Sequence, residues 1–405
     1  RALKISKYKI EENRQRITSA RSKFFPQLSN ETSYMGLSDK QVVTIPAGSL
    51  GTVPELGPFP TQDTKINQGS DLLFISSTTL SQPLTQLFKI NEGHEIAKSD
   101  RAISEFEARK TEDEIIFGVH RLYYGLLIAR KQKEAAQSAL AAAREAMRES
   151  GDAVKAGNVL DVALTGSKVQ LLQNRQALLT AEIRTSDLMS ELNDLLGLPV
   201  DTELVLAELE DDLPVPQPFR KYLEDALSHN TELRAAKESV AKAGHAVRAA
   251  RDEYIPDISL FARHIYQNGS PFVADNVGIF GAKMTWDIFD WGNRSGVVGQ
   301  RKSQLAQAEE NVKRIEQRLT VEISKAYRKL EQIGTLREVT LEALKLQREN
   351  LRLSADRLKA GTITSGRYAE SVAAVSKAEF DDLQAALGYR LALTDIDRIS
   401  GGLSR

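Results

Sequence analysis

The chain contains no cysteine. Disulfides, zinc–thiolate sites and thiol catalysis are therefore excluded, while the cellular compartment is left open. Acidic and basic side chains nearly cancel, 55 against 54, so no net positive charge draws the chain to nucleic acid. Aromatic residues are scarce, at 6%. No apolar run reaches the roughly 18 residues of a membrane helix. The nearest, from Ile115 to Ile128, is broken by His120 and Arg121. Any passage through a membrane must then be made by strands. The histidines (His94, His120, His229, His245 and His264) have no metal-ligand spacing, and no phosphate loop or nucleophile elbow is present. No enzyme activity, metal or cofactor is expected.

What is abundant is Ala, Leu, Glu, Lys, Arg and Gln, the composition of long helices. One stretch occurs twice: Val154-Lys155-Ala156-Gly157 and Leu358-Lys359-Ala360-Gly361, with Asp152 and Asp356 just upstream. The offset is 361 − 157 = 204 residues. Each copy ends a long helical pattern with glycine, and a new pattern starts soon after, which reads as the hinge of a helical hairpin. Tyr123 and Tyr327, Leu80 and Met284, Lys98 and Lys302, and Gly197 and Gly401 match at the same offset. Farther upstream, Ala20-Arg21-x-x-Phe24-x-Pro26 matches Ala250-Arg251-x-x-Tyr254-x-Pro256 at 230. The extra 26 residues (230 − 204) fall between Ser29 and Leu80 of the first copy. The chain therefore reads as two copies of one unit.

In order, residues 1–24 are expected to form a helix already under way at residue 1. Its partner begins near Phe219, and 219 − 230 places the start at −11, so any export signal or lipid-anchor cysteine would lie upstream. Residues 25–90 form a first β-hairpin, with strands over Gln27–Tyr34 and Leu72–Leu84 and a long Gly/Pro-rich loop between them. Residues 91–198 form the first long helical hairpin, with a return helix over Asp161–Leu196. Residues 199–218, including Asp211-Asp212-Leu213-Pro214, are a linker. Residues 219–256 are a helix continuing the return helix. Residues 257–291 are a second β-hairpin around Asn268-Gly269-Ser270-Pro271, with its last strand over Val277–Phe289. Residues 292–405 are the second helical hairpin. In its long helix Leu305, Val312, Leu319, Ala326 and Ile333 recur every seven residues. A second row, Ile323, Leu330, Leu344 and Leu351, is broken by Arg337. Two rows mean packing against more than one neighbour. Proline-free runs of some 65 residues span about 95 Å, so the expected shape is a rod with strands at one end and the hinges at the other.

Two readings of the strands stand. In a soluble scaffold or adaptor the hairpins merely cap coiled coils. In a membrane protein, four strands cannot close a barrel, whose minimum is about eight, so several chains must share one. Phe280, Met284, Trp286 and Ile288 would then face lipid, and Lys283, Thr285 and Asp287 the lumen.

Thr231-Glu232-Leu233-Arg234, Ala250-Arg251-Asp252-Glu253-Tyr254-Ile255-Pro256, Met284-Thr285-Trp286-Asp287-Ile288-Phe289-Asp290-Trp291-Gly292 and the two Lys-Ala-Gly hinges resemble the TolC-type outer membrane efflux proteins. The resemblance spans nearly the whole chain. It implies a mainly α fold with a small β part: a homotrimer with a shared 12-stranded transmembrane β-barrel and a periplasmic α-barrel of coiled-coil hairpins. The loop of the first β-hairpin would be extracellular. The implied function is a passive exit duct in the outer membrane, for efflux or type I secretion. Its implied partners are a periplasmic adaptor (membrane fusion) protein and an inner-membrane transporter of RND, ABC or MFS type.

The hinge residues Lys155, Gly157, Lys359 and Gly361 are expected at the hairpin tips and the adaptor contact. Many family members place Ser or Thr three residues after the hinge glycine and an acid six after it. Here the first tip has Leu160 and Ala163, with its acid at Asp161; the second has Thr364, Arg367 and, at plus nine, Glu370. Glu370 is expected to line the constriction, and Arg367 to bond a carboxylate on the neighbouring hairpin, with Asp161 the best candidate. Trp286 and Trp291 read either as core residues or as an interfacial aromatic belt, and their place where strand passes to helix favours the belt.

Overall fold

The computed structural model describes residues 1–38, 42–67, 69–207, 212–270 and 273–403. Asp211 of the linker and Pro271 of the second hairpin turn lie outside the described residues. The elements in order are α1 (Ala2–Ser22), β1 (Gln27–Gly36), β2 (Val42–Ile45), β3 (Thr52–Val53), β4 (Gly57–Pro58), β5 (Thr64–Asn67), β6 (Leu72–Pro83), α2 (Gln86–Lys155), α3 (Asp161–Leu196), α4 (Phe219–His229), α5 (Thr231–Asp252), β7 (Asp257–Asn268), β8 (Asn276–Thr285), α6 (Asn293–Lys359) and α7 (Ser365–Ser400). The proline-free runs give helices of 70 and 67 residues, α2 and α6. Among the described residues no helix is long and apolar enough to cross a membrane.

The chain divides into two compact units: residues 1–9, 103–237 and 310–405, and residues 10–102 and 238–309. In the second, β1, β6, β7 and β8 form one antiparallel sheet in that order, which leaves β1 and β8 as edges. Residues at paired positions share a face. One row runs Leu28, Leu80, Ala262, Phe280 across all four strands. Glu31, Asp257, Arg263 and Lys283 all stand on the opposite face, while the Phe280 face has no Asp, Glu, Lys or Arg at a paired position. Apolar residues occur on both faces, Phe261 and Ile279 among the charges, so the charges alone distinguish them.

Three expectations change here. Strand β8 stops at Thr285, four residues short of Phe289. The Gly/Pro-rich stretch is not all irregular: β2 pairs with β5, and β3 with β4. The β-branched Val42-Val43-Thr44-Ile45 carried that signal. The helix expected over 219–256 breaks at Asn230, whose Oδ1 accepts from the Leu233 N–H at 3.0 Å and whose Nδ2 donates to the Ile399 carbonyl at 2.9 Å. Asparagine serves better as an N-cap than inside a helix, and this one also ties α5 to the end of α7.

The first unit holds the main core. Tyr222, Ala226 and Leu233 meet Ile315, Leu319, Ile323 and Leu330 of α6 and Ile396 and Ile399 of α7. Both heptad rows of α6 feed this core. Arg337, which interrupts one of them, is also buried and pairs with Asp382 of α7.

Within this unit the helices stand in the row α3–α2–α7–α6. Lys133 pairs with Glu182 at 3.2 Å and the Ser150 and Ser167 hydroxyls meet at 2.8 Å, joining α2 to α3. Lys131 pairs with Glu379 at 3.0 Å and Ser376 donates to Ser138 at 2.9 Å, joining α2 to α7. Ser354 and Ser371 meet at 2.9 Å between α6 and α7, each 204 residues on from the α2–α3 pair. Burial pushes the Glu379 carboxyl up, but Lys131 and Arg348 together outweigh it and hold it below its ordinary range. A lowered carboxyl contributes stability that is present above its unfolded pKa and is lost as pH falls through the folded one.

Candidate gate at the helical-hairpin tips

Gly157 and Gly361 have φ of 73° and 68°. At the first tip the Asn158 N–H donates to the Ala153 carbonyl and the Gly157 N–H to Val154, both at 2.9 Å. At the second, Thr362 donates to Arg357 at 2.9 Å and Gly361 to Leu358 at 3.0 Å. These paired bonds close both helices in the left-handed manner glycine allows without strain.

The restarts differ. Thr364 is the N-cap of α7, its Oγ1 accepting from the Arg367 N–H at 3.3 Å. Leu160, in the same place before α3, caps nothing with its side chain and is 80% exposed. The first tip thus presents Leu160 and Val162 where the second presents hydrogen-bonding groups. This departure was legible in the sequence.

A residue that sequence reasoning missed ties the tips together. Glu149 of α2 accepts from the Gly366 N–H through Oε1 at 2.7 Å. Its carboxylate therefore sits on the first turn of α7, where unsatisfied N–H groups and the helix dipole favour negative charge. Gly366 permits the approach: a Cβ there would come within 2.6 Å of Glu149 Oε2. Only the glycine hinted at such an approach in the sequence; the carboxylate lies 217 residues away. Replacing Glu149 with Ala is expected to destabilise the start of α7 by about 0.5–2 kcal/mol, the range for a lost N-terminal cap. Hydrogen exchange of the Gly366 amide should speed up, and Gly366→Ala should act in the same direction by displacing the carboxylate. Unchanged exchange in Glu149→Ala would remove Glu149 from the tip.

Arg367 Nη1 reaches Glu370 Oε2 of its own helix at 3.0 Å, with both side chains more than half exposed. Within one chain Asp161 and Arg367 are not brought together; at the tips, Glu149 is a carboxylate that crosses between hairpins. Lys155 is exposed and 3.8 Å from Asp152, and Lys359 is exposed beside Gly361.

In the other unit, Phe280 and Met284 are exposed on the uncharged sheet face. Trp286, Ile288 and Trp291 follow the end of β8 and are also exposed, Trp291 at 90%. Trp291 has φ of 56° and stacks edge-on against Phe289, with ring centroids 4.9 Å apart. Asp290 braces this turn, accepting from the Arg294 N–H at 2.9 Å and from Arg294 Nε at 2.7 Å. Both tryptophans are exposed, and neither is a core residue within the chain. Among the described residues no group of three or more His, Asp or Glu side chains could hold a metal ion.

Glycine-hinged helical hairpins joined in one chain to a four-stranded sheet with two open edges define a TolC-like fold. The chain belongs to the outer membrane efflux protein family, whose model matches residues 1–198 and 222–402. Among solved structures it is similar to the Campylobacter jejuni CmeC outer membrane channel, at 17% identity over 99% of this chain and 82% of that chain, TM-score 0.76. It is also similar to the open state of the Neisseria gonorrhoeae MtrE outer membrane channel, at 18% over 99% and 86%, TM-score 0.75. A third is the Vibrio cholerae outer membrane protein VceC, at 14% over 98% and 92%, TM-score 0.75. Comparison with curated protein sequences finds no match.

Proposed function

We propose that this protein is the passive exit duct of a tripartite export system, a homotrimer in the outer membrane with a long periplasmic extension. The observation that carries the reading is the sheet: four strands with open edges at β1 and β8 and charge on one face only. Lipid tolerates no open edge, so copies must share one barrel, and membership of the family favours three copies and twelve strands. The uncharged face meets lipid and the face of Glu31, Arg263 and Lys283 lines the water-filled lumen. Trp286 and Trp291 sit at the membrane boundary, where their amphipathic rings are favoured. The hinge residues Lys155, Gly157, Lys359 and Gly361 meet a periplasmic adaptor, which links the duct to an inner-membrane transporter of the RND, ABC or MFS type.

At the tips, Glu370 lines the constriction of the closed ring and Arg367 moderates the repulsion among its three copies. Asp161 of an adjoining chain remains the counter-charge we propose for Arg367 across the ring. Such a bond in a wet pore is worth about 1 kcal/mol or less, enough to bias a balanced switch without locking it.

The test is extraction in detergent followed by planar-bilayer recording. The protein mass should be three times 44.8 kDa, with single-channel conductance. A soluble monomer that keeps all its strands would overturn the reading. Arg367→Ser should raise conductance, and Glu370→Ala should weaken cation preference. Parent values in both variants would move the gate elsewhere.

A further inference from the structure

The row α3–α2–α7–α6 leaves an outer flank on α3 and another on α6. Each carries apolar side chains that nothing among the described residues covers. On α3 these are Val162, Val169, Leu172, Leu179 and Ile183; on α6 they are Leu336, Val339, Leu346 and Leu353. All are at least 47% exposed. Their spacings of three, four and seven residues are those of a coiled-coil seam, so each helix carries half of a seam whose other half is missing.

The register of the missing contact can be read from one that is present. Helix α7 (Ser365–Ser400) is α3 (Asp161–Leu196) displaced by 204 residues, and α2 and α6 end 204 residues apart at Lys155 and Lys359. The α2–α7 contact is pinned by Glu149 with Gly366 and by Ser138 with Ser376. Moving the α2 member forward by 204 and the α7 member back by 204 transfers that contact to α6 and α3. Glu149 with Gly366 then becomes Leu353 with Val162, two exposed apolar residues. Carried along the antiparallel helices, the same register sets Val169 beside Leu346 and Leu179 beside Leu336. Spacing alone assigns Val162 and Val169 to position a of the heptad and Leu346 and Leu353 to position d. The transferred register thus alternates a against d, as antiparallel seams require.

Charge agrees with that register. Lys168 and Arg175, seven apart on α3, make no ion pair within the chain among the described residues. Glu342 and Glu349, seven apart on α6, are both more than half exposed. In the transferred register Lys168 flanks the seam opposite Glu349, and Arg175 opposite Glu342. Nearer the hinges Asp161 meets both Asp356 and Arg357, so the charge match belongs to the two central heptads.

We infer that α3 of one copy packs antiparallel on α6 of the next, with Val169 against Leu346 and the pairs Lys168–Glu349 and Arg175–Glu342 beside them. This inference rests on the trimeric reading above and names the surface that closes the ring. The two flanks differ, so the contact is heterologous, and a head-to-tail contact closes into a ring where its rotation divides a full turn, as three copies require.

The absence of native cysteine makes the test direct. Val169→Cys and Leu346→Cys are introduced into the full chain, separately and together, and membranes are treated with a short bis-maleimide. The double variant should give covalent trimers on denaturing gels. Once heating has dissociated the SDS-resistant trimer, each single variant alone should run as a monomer on those gels, and mixed single variants with distinguishable tags should link to each other. Val169→Cys with Leu336→Cys, about 15 Å out of register at 1.5 Å per residue, should not link. Arg175→Glu should reduce the SDS-resistant trimer, and adding Glu342→Arg should restore it. If the parent is trimeric by mass in detergent but the in-register pair fails to link, or a single variant links to itself, the seam is overturned and the ring closes through another face. If the parent is not trimeric, the channel reading itself fails, and the seam with it.

Discussion

Phe280→Arg is expected to block assembly of the channel, whereas Met284→Arg is expected to be tolerated. In a strand running from Val277 to Phe289, as the alternation predicts, Met284 would lie well inside the barrel. In the structure β8 runs from Asn276 to Thr285, so Met284 is its penultimate residue and Phe280 its middle. A lipid-facing arginine costs about 2–4 kcal/mol at the bilayer midplane and about 0–1 near the interface. The larger cost therefore moves to Phe280, which is 88% exposed and at the end of the row Leu28–Leu80–Ala262–Phe280. Three copies per trimer multiply the penalty. Lys283→Glu, on the face that already holds Glu31 and Asp257, should leave assembly intact and shift ion selectivity. The readout is the yield of SDS-resistant trimer in outer membranes, followed by bilayer recording of whatever assembles. Because the side-chain period is two, a register error of one residue exchanges the faces. A channel that tolerates Phe280→Arg but not Lys283→Glu would show that the faces are reversed.

The parts of the fold that were legible in the sequence are those set by short-range rules. Glycine hinges, proline-free runs and heptad rows define α2, α3, α6 and α7, and α3 lies where the pattern placed it, Asp161–Leu196. Paired contacts between distant segments were not legible. Asn230 looked like one more residue in a helix because the Ile399 carbonyl it binds lies 169 positions away. In the sequence Glu149 is one acidic residue among many on a long helix, and only Gly366 hints at its approach. The gate illustrates the same divide. The missing cap at Leu160 could be read from one position, but the partner of Arg367 could not: in the chain it is Glu370, three residues on.

Arg337 is the sequence's own marked exception, a charge in an apolar row, and the largest expected loss of stability lies with its partner. Asp382→Ala would remove the carboxylate that α7 places against the buried Arg337 guanidinium. The two side chains are only 10% and 15% exposed, and Thr340 Oγ1 also donates to Asp382 at 3.3 Å. Removing one member of a buried pair costs about 3–5 kcal/mol, mostly from the charge left behind. A cavity of about 530 Å³ beside the pair, lined also by Lys131, Arg348 and Glu379, gives water access, which points to the lower end, near 3 kcal/mol. The double substitution Arg337→Leu with Asp382→Leu should behave differently. It restores the row Ile323, Leu330, 337, Leu344, Leu351 and removes both charges, so its stability should equal or exceed the parent's. The pair would then be retained for register. Sliding α7 by one heptad would bring Val375 or Tyr389, neither a carboxylate, against the guanidinium in place of Asp382. Guanidinium denaturation of the detergent-solubilised protein, followed by helical circular dichroism, measures all three forms. An Asp382→Ala variant as stable as the parent would show that Arg337 does not depend on Asp382. A double-leucine variant as unstable as Asp382→Ala would show instead that the pair holds α6 and α7 together by attraction.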